Sequence, residues 1–139
     1  MSRVRLERNP DGQGEGEWRL RLTSPQADLL RRTAEVFFAL VQEGAGRELA
    51  LGPGGAELPG LMAATARTAD ADGLVHVSVT AGQLHAVHSM LMTLLVLVPS
   101  ELAFMQQVGH FREQAAALAA GLRRAALGLW AHDFGGSCP

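Results

Sequence analysis

At 139 residues, 47% of them hydrophobic and 19% charged, the chain is sized for one domain, and a fold of that length needs no disulfide framework or structural metal. Twelve Lys+Arg against fourteen Asp+Glu leave a formal charge of -2, which excludes a global field drawing the protein to nucleic acid or to an anionic membrane. Lysine, isoleucine and tyrosine are absent, so a Walker-type phosphate lysine, a Schiff base and a lysine general base are excluded.

The missing residue types have AT-rich codons, which points to a bacterium with a GC-rich genome. The single cysteine, Cys138, has no intrachain partner and fits a reducing cytoplasm. The opening residues are too polar for a signal peptide, and the longest apolar run, Met90 to Val98 interrupted by Thr93, is far short of a membrane span. A single cytoplasmic domain over residues 1–139 is expected, with a frayed tail at 133–139.

Residues 3–7 and 17–22 alternate between apolar and charged side chains, the period-two pattern of half-buried strands. Pro10-Asp11-Gly12 between them is turn chemistry, so these segments predict a β-hairpin with Val4, Leu6, Trp18, Leu20 and Leu22 facing the core. Thr23, Pro25 and Gln26 then start a helix, with Ala27, Leu30, Ala34, Phe37, Phe38 and Val41 on its apolar stripe and Gly44 as its stop.

From Arg47 to Gly73 the pattern weakens. The stretch is undecided: Glu48–Leu51 could form a short strand, Leu58–Thr68 is either a short helix or irregular chain, and the glycines from Gly52 to Gly60 read as a flexible loop lacking phosphate-cradle spacing. Asp70-Ala71-Asp72-Gly73 starts like an EF-hand but lacks the glutamate at its twelfth position, so it reads as a strand-entry turn. Val75, Val77 and Val79 mark a strand over 74–79, followed by a helix to about Val98 carrying Leu84, Val87, Leu91, Leu94 and Leu95.

An offset of 57 residues superimposes these two strand-to-helix units, Thr23 and Gln26 falling on Thr80 and Gln83, a pattern open to internal duplication or to similar local chemistry. Pro99 and Ser100 introduce a short helix ended by Gly109. A last helix follows from about Arg112 to Trp130, with Phe111, Ala115, Leu118, Leu122, Ala125 and Leu129 inward. The expected fold is α+β, an antiparallel sheet covered on one face by three main helices.

No GxSxG elbow or other catalytic constellation stands out, His132-Asp133 reads as a helix end meeting solvent, and no cofactor is implied. His85 and His88, three apart, could join His76 at a metal, but without a carboxylate or cysteine beside them they read as a solvated helix face. Arg3, Arg5, Arg19 and Arg21 share one face of the hairpin, and some registers oppose Arg to Arg. They must be offset by carboxylates such as Glu7, by a partner chain or by nucleic-acid phosphates. The Met90–Val98 run is apolar nearly all round, which suggests an interface through Met90, Met92 and Leu97. The expected function is that of a small non-catalytic protein-protein interaction module, regulatory or chaperone-like and homodimeric, with an unidentified protein partner. The alternative is a nucleic-acid binder using the arginine face.

Overall fold

In the computed structural model the described residues are 4–8, 18–66 and 69–134. Strand β1 (Arg5–Arg8) pairs with β2 (Trp18–Thr23), and β2 with β3 (Leu74–Val79), in an antiparallel sheet of order β1-β2-β3. Helix α1 (Ser24–Leu40) follows β2 directly, and α4 (Ala81–Leu97) follows β3. Between these units lie α2 (Ala45–Leu51), a 3-10 turn at Gly55–Glu57 and α3 (Leu58–Ala64); α5 (Glu101–Val108) and α6 (Arg112–Phe134) close the chain. The α+β architecture anticipated from the strand parity is the one observed.

Leu20, Leu22, Val75, Val77 and Val79 turn one sheet face to the helices and join Phe37, Leu91, Leu94, Phe104 and Leu122 in one buried core. Period-two alternation leaves Arg5, Glu7, Arg19, Arg21, His76 and Ser78 on the other face.

Both strand-to-helix units begin with the same reciprocal cap. The Gln26 N–H donates to Thr23 Oγ1 at 3.2 Å and the Thr23 N–H to Gln26 Oε1 at 2.9 Å; Thr80 and Gln83 repeat this at 3.1 and 2.9 Å. They also end alike. The Val41 N–H donates to Phe37 O and the Val98 N–H to Leu94 O, while Arg47 reaches back to Phe38 O at 3.2 Å and Arg112 to Leu95 O at 2.7 Å. Each guanidinium satisfies a carbonyl that a helix end leaves without an intrahelical donor. In the β2–β3 register Leu20 lies opposite its counterpart Val77. Any antiparallel pairing of two such units is symmetric under their exchange, so the arrangement does not bear on whether they arose by duplication.

The segment between the units departs from the sequence expectations. Glu48–Leu51 belongs to helix α2, because Leu51 is a buried anchor while Glu48 and Leu49 are exposed, a helical rather than an alternating pattern. The glycine-rich turn is not a loose loop either. Gly54 and Gly55 are buried, and a Cβ on Gly54 would stand 2.2 Å from Gly82 O and 2.7 Å from Gln83 N, so the turn is pressed backbone to backbone on the first turn of α4. Phe111, expected inward, is 58% exposed, because it precedes α6 and its N–H is held by Gln114 Oε1 at 3.0 Å. Helix α6 runs to Phe134, past the anticipated end at Trp130.

Candidate functional site

The outer sheet face is the first candidate surface. Its register sets Arg5 directly opposite Arg21 and Glu7 opposite Arg19. The Arg–Arg juxtaposition is relieved diagonally, Arg21 Nη2 meeting Glu7 Oε1 at 2.6 Å. Arg21 Nε is buried with no hydrogen-bond partner among the described residues, so that guanidinium is only partly satisfied. Arg5 is exposed; Arg19 borders a shallow hollow of about 420 Å³ with Asp70, His76 and Ser78. Arg3 lies outside the described residues.

On the next strand His76 is hydrogen-bonded to Asp70. The Leu74 N–H at 3.1 Å, ahead of His76, holds the Asp70 carboxyl below the usual aspartate range. The same carboxylate accepts the Asp72 N–H at 2.8 Å, which makes 70–73 the strand-entry turn that its composition suggested. Three arginines, one histidine and two carboxylates thus share this region, a mixed patch rather than a strongly basic one.

The three histidines do not converge. His76 is on the outer sheet face, whereas His85 and His88 belong to α4 on the core side, and among the described residues no three His, Cys, Asp or Glu side chains gather as a metal-binding group. His85 is exposed and meets Ser89 at 3.4 Å. His88 is not on a solvated face as expected: it is half-buried, and desolvation, then Arg123 and His85, hold its pKa below the ordinary histidine value of 6.5.

No protein-family model matches this chain, and neither a characterised protein nor a solved structure matches it significantly. The geometry of the chain is therefore the ground for any functional reading.

Helix α4 supplies the second candidate surface. Of the three anticipated interface residues, Met92 and Leu97 are 46% and 50% exposed, but Met90 is fully buried. The offset between the units explains why: Met90 occupies the position that Thr33 holds in α1, also buried, so it points into the core rather than away from it. With Val96 at 76%, Leu102 at 67% and Phe111, exposed apolar side chains concentrate where α4 ends, α5 turns and α6 begins. The Arg112 bond to Leu95 O ties the ends of this corner together.

Sequence reasoning missed one polar pair altogether. His110, just before α6, donates from Nε2 to Asp28 Oδ2 on α1 at 2.7 Å, and Asp28 also accepts from Arg32 Nε at 3.0 Å. The His110 bond, more than Arg32, lowers the Asp28 pKa. The pair spans 82 positions, so no local spacing could have announced it. His132-Asp133, the pair that spacing did suggest, involves side chains outside those described.

Proposed function

We propose that the protein is a small non-catalytic interaction module, regulatory or chaperone-like, that works as a homodimer in the cytoplasm of a GC-rich bacterium. The observation that carries this reading is a contrast within the chain. On α1 the outward stripe is Asp28, Arg32, Glu35 and Ala39, with Asp28 and Arg32 ion-paired; at the equivalent positions α4 places His85, Ser89, Met92 and Val96. The first stripe carries charge as far as Glu35 before Ala39. The second turns apolar at Met92 and Val96; Leu97 and its counterpart Leu40 are exposed alike at 50% and 49%, and the exposed Leu102 extends the α4 surface round the corner. Water would be excluded from that corner by a second copy of the chain.

Sedimentation velocity on the full chain tests this. A dimer at micromolar concentration is expected, dissociated by Val96→Glu to a monomer that still folds, since that side chain contributes little to the monomer core, with only the stabilisation due to association lost. A monomer at all concentrations, or a Val96→Glu dimer, overturns it.

A second reading, nucleic-acid binding through Arg5, Arg19 and Arg21, is favoured by the opposed Arg5–Arg21 pair and by Arg19, which has no hydrogen-bond or ion-pair partner among the described residues. The Glu7–Arg21 ion pair supports the internal alternative instead. Salt-sensitive oligonucleotide binding, lost in Arg19→Gln, would establish the second reading in place of the first.

A further inference from the structure

A cleft of about 660 Å³ opens where the end of β2 and the first turn of α1 face helix α6. That volume lies within the range of small-molecule sites. Its floor is apolar: Val4, Leu29 and Leu118 face it, and Gly121 brings the α6 backbone so close to β1 that a Cβ there would lie 3.2 Å from the Val4 side chain. Its polar edge combines basic and neutral groups: His110 and Arg124 line it, Thr23 adds a hydroxyl and Gln26 and Gln114 add amides, and no carboxylate is among the described lining residues.

His110 is also fixed in place. Its side chain is 17% exposed, and the Nε2 bond to Asp28 leaves Nδ1 as the remaining ring nitrogen. Asp28 stands behind the histidine rather than in the cleft and is itself held by Arg32, so the positioning chain runs from α1 outward to the site. An apolar floor beneath one exposed cation and a positioned imidazole complements an elongated apolar molecule that ends in a single negative charge.

We propose that this cleft binds a small amphipathic carboxylate, its chain on Val4, Leu29 and Leu118 and its head group at Arg124 and His110. The cleft is lined by none of the exposed corner side chains Met92, Val96, Leu97, Leu102 and Phe111, so the proposal goes beyond the dimer reading.

Calorimetric titration of the full-length protein with octanoate, octan-1-ol and octylammonium tests the assignment. Octanoate is expected to bind at least about tenfold more tightly than either chain-matched analogue, the size of effect one charge-assisted contact supplies. Arg124 is exposed, so Arg124→Gln should leave the fold intact, weaken octanoate severalfold and leave octanol unchanged. Ala117→Phe, on the half-buried wall, should fill the cleft and abolish binding of octanoate. If that variant does not fold, the ligand series and Arg124→Gln still decide. No octanoate binding at millimolar concentration, octanol binding as tightly as octanoate, or an unchanged affinity in Arg124→Gln would each overturn the proposal.

Discussion

The β2–α1 and β3–α4 halves share the devices that start and stop their helices, and they differ in what surrounds those helices. Thr-x-x-Gln boxes open both, and an arginine from a later helix closes both, Arg47 on Phe38 O and Arg112 on Leu95 O. Yet α1 carries ion-paired charges outward, while α4 is flanked by α2 and α6, has the 52–55 turn against its first turn, and still leaves Met92 and Val96 uncovered. Local chemistry defines each helix; its neighbours decide which of its faces have to be apolar.

The two halves should respond alike where they are equivalent. Phe37 and Leu94 occupy matching positions and are both fully buried. Truncation to alanine should cost about 3–5 kcal/mol for Phe37 and about 2–5 kcal/mol for Leu94, read by urea unfolding. A loss below about 1 kcal/mol at either position would mean that the shared register does not build a shared core.

A single glycine should then separate the halves. Gly54→Ala forces a Cβ into the backbone of Gly82 and Gln83 and should cost about 1–3 kcal/mol as an overpacking change. Gly60→Ala, inside α3 with nothing within 4 Å, should instead stabilise by about 0.5–1 kcal/mol. Equal effects would show that the turn yields.

The smallest expected effect concerns pH, and it has opposite partners in the two halves. Asp28 on α1 has a depressed folded pKa, so its contribution is present above its ordinary value of 3.8 and lost as pH falls below it. His88 on α4 is also depressed, but from 6.5 and by burial, so the folded state resists its protonation and stability should fall as pH drops below 6.5. Melting temperatures followed downward from pH 7.5 should decline first through His88, and His88→Gln should remove that early decline. Asp28→Asn should lower stability above pH 3.8, where the carboxylate is ionised, and flatten the acid limb below it, where the two proteins converge. An early decline that persists in His88→Gln would assign it to another group.

Much of this was readable before the fold was known because its causes are local. The caps need a hydroxyl and an amide three residues apart, and the strands need only parity, so Thr23, Thr80 and the arginine face could be placed from spacing. Met90 could not: a helix apolar nearly all round does not say which of its sides meets the core, and only packing beside α1 decides it. Glu48–Leu51 stayed undecided for a related reason, four residues being too few to distinguish period two from period 3.6. The His110–Asp28 pair and the cleft beside it depend on the α5–α6 turn meeting α1 and on α6 lying along β1, long-range juxtapositions with no sequence signature.

The contact between Gly54 and Gly82 bears finally on how this fold can vary over evolutionary time. Position 54 tolerates no side chain without displacing the start of α4, whereas a Cβ at Gly82 would meet nothing closer than 3.8 Å and positions 46 and 60 open into space. Substitution should therefore be frequent at three of these four glycines and rare at the fourth. Descendants of a common ancestor could diverge at nearly every surface position and still be recognisable by an invariant glycine that precedes the second Thr-x-x-Gln box by 26 residues, Gly54 to Thr80 in this chain.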